Sequence, residues 1–451
     1  MSSARPHPFE QRPRRTLLAL AVPVLLSLIA EPVTGMVDTA FVASLGTVPL
    51  AGLGVGTIAL SSIFWIFNFL GIGTQTEVAL AYGAGRKDQA RERSYLAFFL
   101  AAAFGVVLCL AAFFVLTPAA RALGAEGEVL QAAREYMGIR LMGAPAVLMI
   151  MAGFGTLRGL QCMQIPLVIA VALNLLNILL DRLLIFGWGP VPAFGIAGAA
   201  WASTFSQWFG AGLSFWAVGR QLGAPMLRFR GAPALLRVGG DLFLRTGLLS
   251  LFLLFATRVA NQIDPGAGAA HQSIRQVWFF TALVLDAFAA SAQSLVGYFL
   301  GANRFAVAKQ VAALACRWSL ATGFVLTAVM LLGEPLFLPW FVPEEARPWF
   351  HGAWVWAALS QPLNSLSFVT DGIHWGTRDF AYLRKVMTLA TICGIGLLLL
   401  IPTGHPQAYA WVWAVTGAWI FLRALFGMLR IWPGIGRSPW RDADGLGSHE
   451  G

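Results

Sequence analysis

Two apolar stretches contain polar groups that could bind a positive charge. Asp38 lies near the end of a run from Leu17 to Val42, and Asn174, Asn177 and Asp181 lie in a later run that begins at Pro166. Glu31, Thr34 and Asp38 fall at helical spacing and share one face, and so do Asn174, Asn177 and Asp181. A run of about 25 apolar residues is long enough to cross a bilayer. A carboxylate at that depth costs roughly 2.5–3.5 kcal/mol, and it is tolerated where the group faces a wet cavity or a partner. Asp38 and Asp181 each lie about six residues before the outer end of their segment, ~9 Å at the helical rise. Two carboxylates at one depth, with the amide oxygens of Asn174 and Asn177, suit a proton or a hard cation such as sodium. A close acid pair titrates as a unit and can load and release a proton. Alternatively, the first-segment acids are hydrated at a helix end, and Asp181 pairs with Arg182 or caps structure near the surface.

The second half of the chain is less orderly. Asp286, Asp371 and Arg275 stand in apolar segments, and Gln293 takes the repeat position of Glu77. Asp371 lies near Arg378 and Asp379, so an inner-end role and a pathway role both remain open. Arg275 either lines a cavity beside an acid or extends its charged head outward. His271 and His374 have no second histidine or carboxylate at ligand spacing and read as satisfied structural histidines. Cys109, Cys162, Cys316 and Cys393 stand singly, with no metal spacing. Nucleophile-elbow, phosphate-loop and zinc-protease motifs are missing from the sequence.

The elements that position these groups are membrane spans. The chain has 451 residues, is 58% hydrophobic and only 12% charged, and its mean hydropathy is +0.70. A soluble domain could not bury that much apolar surface, so the fold expected is an all-α polytopic membrane protein. The net charge of +10 fits basic cytoplasmic loops and argues against a nucleic-acid partner. Hydropathy windows mark about twelve spans. Basic clusters such as Arg5 to Arg15, Arg86 to Arg93, Arg220 to Arg237 and Arg430 to Arg441 alternate with loops nearly free of Lys and Arg. That alternation places both termini in the cytoplasm and requires an even number of spans. The first span reads as retained, because it is too long for a signal segment.

The sequence also repeats. At a shift of about 216 positions Pro49, Gly52, Tyr82 and Gly85 meet Pro265, Gly268, Tyr298 and Gly301. At a shift of about 217, Pro145, Gly155 and Gly159 meet Pro362, Gly372 and Gly376. A parallel duplication follows, with a site expected between the halves. The expected organisation is a cytoplasmic tail over 1–15, an N-lobe over 16–218 holding spans one to six, a linker over 219–243, a C-lobe over 244–430 holding spans seven to twelve, and a cytoplasmic tail over 431–451.

Several stretches together resemble the multidrug and toxic compound extrusion (MATE) family, in its DinF-like branch. They are Val37-Asp38-Thr39-Ala40-Phe41-Val42, Arg158-Gly159, Asn174-Leu175-Leu176-Asn177 leading to Asp181, and Gly195-Ile196-Ala197-Gly198-Ala199-Ala200-Trp201-Ala202. In the second half they are Ala269-Ala270-His271-Gln272, Leu285-Asp286-Ala287-Phe288-Ala289, Gln293-Ser294-Leu295-Val296-Gly297 and Asp371-Gly372. Ala43 departs from the family's glycine after Phe41-Val42, Leu160-Gln161 from its Gly-Asp after Arg-Gly, and Arg275 stands where an apolar residue is expected.

The resemblance implies two six-helix lobes in a V around a central cavity. It implies export of amphipathic, often cationic, small molecules in exchange for protons or sodium. It makes Asp38 the coupling acid, Asn177 and Asp181 a cation-site pair, Ser203 a hydroxyl ligand, Tyr136 a cavity tyrosine and Pro23 the bending point of the first span. Asn174 joins the cation site by its face, with sodium possible at Asp38, Asn177 and Asp181. Arg275, Asp286, Gln293 and Asp371 are assigned with Tyr136 to the substrate cavity. A monomeric, cofactor-free, non-enzymatic transporter of a bacterial inner membrane is expected. The alternative is a flippase for a lipid-linked precursor, which would need several cavity cations where only Arg275 offers itself.

Overall fold

The computed structural model describes residues 7–441. Arg5 and the tail beyond 441 lie outside the described residues. The described chain is helical, with one isolated bridge between Trp188 and Val191. The helices are α1 (Pro8–Gln11), α2 (Pro13–Ala43), α3 (Thr47–Ile66), α4 (Phe69–Gly83), α5 (Lys87–Ala122), α6 (Gly127–Leu141), α7 (Ala144–Gly159) and α8 (Gln164–Phe186). They continue with α9 (Ile196–Leu222), α10 (Ala232–Ile263), α11 (Pro265–Gly301), α12 (Phe305–Phe341), α13 (Arg347–Leu359), α14 (Gln361–Gly376), α15 (Phe380–Leu399) and α16 (Ala408–Ile431).

Among the described residues, 9 helical segments are long and apolar enough to cross a membrane, or 10 if the bent pair α6–α7 counts as one. Helix α9 and the pair α13–α14 occupy the places of the two remaining expected spans. Their polar residues explain the shortfall: α9 contains Ser203, Thr204, Ser206 and Gln207, and α14 contains Gln361, Asn364, Asp371 and His374. Phe114, Leu332, Trp340 and Leu400 are large apolar groups exposed at 78–82%, as surfaces solvated by lipid tails are.

The chain forms two compact units, one over residues 22–239 and one that joins residues 240–451 to the first 21 residues. The N-lobe start that sequence places at residue 16 therefore falls within a segment grouped with the other unit. His7 caps α1, accepting from Phe9 N at 3.1 Å while its own N–H donates to Glu10. Phe9 is buried against Phe299, and Glu10 is paired with Arg304, whose Nη1 lies 2.6 Å from Oε2. The hydrogen bonds from Arg304 hold the Glu10 carboxyl below its ordinary pKa.

The duplication is visible in how backbones touch. Gly155 on α7 sits against the Gly71 carbonyl of α4, and Gly372 on α14 sits against the Ala289 carbonyl of α11. Gly159 meets the Gln75 carbonyl and Val78; Gly376 meets the Gln293 carbonyl and Val296. Gly105 meets Pro145, and Gly323 meets Pro362. A Cβ at any of these glycines would enter the neighbouring helix, so the small residue sets the interaxial distance. The turns after α7 and α14 match too, with Gln161 at φ 62 and Arg378 at φ 61.

These pairs correct one register. The shift of about 217 holds for α7 and α14, but α4 matches α11 at roughly 218 rather than 216. Gln293 is thus the counterpart of Gln75, not of Glu77. Identical letters misled the alignment because glycine-rich helices match each other at several registers.

Within the first unit α8 packs along α9, α7 lies between α4 and α5, and α3 lies along α6. Within the second unit α14 lies among α11, α12 and α16. Among the described residues no helix backbone runs closely along α2 or α10.

Candidate cation-coupling site

The first unit brings together the residues that the helical spacing selected. Asn177 and Asp181 lie one turn apart on α8 and are both buried, at 3% and 0% exposure. Asn174, the next turn along, is half-buried on the same helix. Asp38 comes from α2 and Ser203 from α9, whose close seam with α8 carries the hydroxyl to Asn177. The amide orientation that satisfies both neighbours has Asn177 Nδ2 donating to Asp38 Oδ1 at 3.1 Å. Its oxygen then accepts from Ser203 N at 3.2 Å and Ser203 Oγ at 3.3 Å.

The Asp38 carboxylate lies within electrostatic reach of Asp181. Neither oxygen of Asp181 is met by an N–H or O–H donor. Two carboxylates that close repel unless a positive charge lies between them. A single proton meets that need, because one acid then donates to the other. Sodium wants several oxygens, yet the Asn177 oxygen is turned to Ser203 and its N–H is turned to Asp38. Among the described residues no group of three His, Cys, Asp or Glu side chains could hold a metal ion. In this orientation the Asn177 oxygen is engaged by Ser203.

Two more charges belong to this neighbourhood. Glu31 is exposed on α2. Arg140 on α6 lies within electrostatic reach of Glu31, Asp38 and Asp181. Its Nη1 donates to Gln207 Oε1 at 2.6 Å, while its Nε is buried without an acceptor. Arg140 escaped the sequence reading. The available signal was its place one turn after Tyr136, which fixes both on one face. Tyr136 is buried at 4%, its ring fitted against Gly56 of α3.

Pro23 lies inside α2, two residues past the point where the helix leaves one compact unit for the other. Proline supplies no N–H to the i−4 carbonyl, so the ladder is open there.

The second unit handles its acids differently. Asp371 on α14 is buried, and its Oδ2 accepts from Arg245 Nη2 of α10 and, at 2.9 Å, from Arg423 Nη2 of α16. Arg423 is 4% exposed and lies over the Trp419 ring at 4.6 Å. Asp286 on α11 is half-buried within electrostatic reach of Arg423. Arg245 and Arg423 were both missed, because each reads in sequence as an inner-end charge.

Arg275 does not join this group; its Nη1 donates to Thr257 Oγ1 at 3.1 Å. Gln293 is 1% exposed, within the α11–α14 seam. His374 Nε2 lies 3.0 Å from the Gly427 carbonyl, while its Nδ1 is buried without a partner, so it is only half satisfied. His271 departs from the satisfied histidine expected, since both ring nitrogens are buried without partners beside Trp413 and Tyr409.

The chain matches the family model MatE over residues 23–183 and 242–400. It is 30% identical over 445 residues to Protein DETOXIFICATION 44, chloroplastic, of Arabidopsis thaliana, covering 94% of this chain and 83% of that one. It is 27% identical over 444 residues to DNA damage-inducible protein F of Escherichia coli K12, covering 95% and 93%. Its fold matches a crystal structure described as MATE in the bent conformation, with TM-score 0.86 at 20% identity and 97% of each chain covered.

Proposed function

We propose, for a chain that belongs to the MATE family of multi-pass membrane transporters, that it exports amphipathic, often cationic, small molecules in exchange for protons. The observation behind proton coupling is the Asp38–Asp181 carboxylate pair with Asn177 donating into it. A site that presents an N–H to one acid and sets a second, donor-free acid beside it suits a proton more than sodium.

The stroke we infer is alternating access. A proton entering from outside bridges Asp38 and Asp181 and draws α2 toward α8. Helix α2 is free to respond, because no helix backbone lies closely along it and its ladder is open at Pro23. Loss of the proton inward lets α2 relax. Three acids, Glu31, Asp38 and Asp181, against Arg140 give this unit an interior suited to cationic cargo. Each charge moved down 100 mV yields about 2.3 kcal/mol, enough to drive substrate uphill. Basic loops support cytoplasmic termini in a bacterial inner membrane. Function as a monomer is part of the same proposal.

The test is efflux of tetraphenylphosphonium from proteoliposomes under an imposed pH gradient, then under an imposed sodium gradient. Protons should drive efflux without sodium. Efflux driven only by sodium would overturn the coupling assignment.

A further inference from the structure

Helices α6 and α7 meet at a bend of 51°, with Met142 and Gly143 between them. A break of this kind leaves backbone carbonyls without intrahelical donors. Helix α9 supplies donors from one face. Thr204 Oγ1 donates to the Ile139 carbonyl at 3.1 Å, and Trp208 Nε1 donates to the Met142 carbonyl at 3.2 Å. Between those two contacts Gln207 Oε1 accepts from Arg140 Nη1 at 2.6 Å. A Cβ on Gly143 would stand 2.9 Å from that oxygen, so the glycine makes room for the amide. The backbone on both sides of Arg140 is thus tied to α9, and its guanidinium is oriented by Gln207.

Arg140 stands near the middle of the bent α6–α7 pair. A charge at that depth normally faces a wet cavity or a charged partner. Its acids do not touch it. Glu31, Asp38 and Asp181 lie within electrostatic reach. Yet among the described residues no carboxylate comes within ion-pair distance of Arg140, whose side-chain hydrogen bond goes to a neutral amide. Its Nε is buried without an acceptor, and the residue as a whole is half-buried, so a ligand can reach it. The acids lack basic contacts too. Glu31 is exposed, Asp38 is half-buried, and neither oxygen of Asp181 is met by a donor. A guanidinium and acids that share a neighbourhood without meeting suit a ligand that carries both charges. The guanidinium fork matches a carboxylate in geometry as well as charge.

We propose, on the export reading above, that Arg140 determines specificity by receiving a carboxylate on the cargo, whose cationic group lies toward Glu31 and Asp38. The preferred cargo is then an amphipathic zwitterion rather than a simple cation. Gln207 is the positioning residue, since it holds one nitrogen of the fork and presents no charge of its own.

The test uses rhodamine B, which carries a free carboxylate, and its ethyl ester. The two dyes share one cationic ring system and differ only at that group. Binding to the purified full-length protein is measured by fluorescence anisotropy. The wild type should bind the acid roughly tenfold more tightly than the ester. Arg140→Gln should lose this preference, weakening the acid while binding the ester at least as tightly. Arg140→Lys keeps the charge without the fork and should recover part of the preference. If Arg140→Gln does not fold, Gln207→Glu sets a carboxylate of the protein's own against the guanidinium and should weaken the acid severalfold. No preference for the acid in the wild type would overturn the proposal, and so would an undiminished preference in a folded Arg140→Gln or Gln207→Glu variant. Efflux of the ester from proteoliposomes under a pH gradient is read separately. If protons fail to drive it, the exchange reading falls, while the binding comparison still decides the role of Arg140.

Discussion

The two units share a backbone plan and differ in how they treat buried acids. In the first, Asp38 and Asp181 face each other with an amide N–H and a serine, and Arg140 stands at electrostatic range. In the second, Asp371 is clasped by Arg245 and Arg423. The second unit pairs its acid directly with arginine. In the first, neither oxygen of Asp181 is met by a donor, which is what the proposed proton site requires. A buried ion pair is a fixed element, whereas a carboxylate pair without a cation holds together only while something is bound. On the proposed coupling, transport needs the second behaviour, and the presence or absence of a fixed cationic partner distinguishes the two acids better than burial does.

Asp38→Asn should break the contrast most severely. Proton-driven efflux from proteoliposomes should fall to the level of protein-free vesicles while the variant still purifies as a folded protein. Asp371→Asn should do the opposite. Removing one partner of a buried pair costs about 3–5 kcal/mol, so a large drop in thermal stability is expected. Asp181→Asn, by contrast, removes a charge with no fixed cationic partner and should leave stability within about 1 kcal/mol. If Asp181→Asn destabilised as much as Asp371→Asn, the distinction between the units would fail.

What the units share can be tested as well. Gly155→Ala and Gly372→Ala place a Cβ against equivalent carbonyls, of Gly71 and Ala289. Each should cost about 1–3 kcal/mol by overpacking, and the two losses should be similar. A loss at only one position would mean that the seams are not equivalent.

The smallest effect belongs to an arginine pair on the accessible side of the second unit. Arg304 holds the Glu10 carboxyl below its ordinary value, so the pair contributes fully above the ordinary carboxylate range. That contribution fades as pH falls through the lowered value. Arg304 is 45% exposed, so screening limits the effect to under ~1 kcal/mol. Hydrogen exchange at residues 7–12 should quicken modestly in Arg304→Ala at neutral pH, with the difference vanishing in acid.

Much of this was legible in the chain. Hydropathy marks the spans, and the 3.6-residue period alone places Asn174, Asn177 and Asp181 on one face. The duplication is also legible, though identical glycines put α4 and α11 two positions out of register. Charge partners are not legible. Arg245, Asp371 and Arg423 come from three helices, and nothing in their local sequence says that they meet. Arg140 is hidden for the same reason. The grouping of the first 21 residues with the second unit depends on Phe9 and Glu10 finding Phe299 and Arg304, the latter contact 294 residues apart in the chain.

The central claim is that the exchanged proton resides on the Asp38–Asp181 pair. The most direct test is to count protons released when tetraphenylphosphonium binds to purified protein in weakly buffered detergent. Wild-type protein should release protons on binding, and Asp38→Asn should bind the probe and release none. Release from Asp38→Asn equal to that of the wild type would place the proton elsewhere.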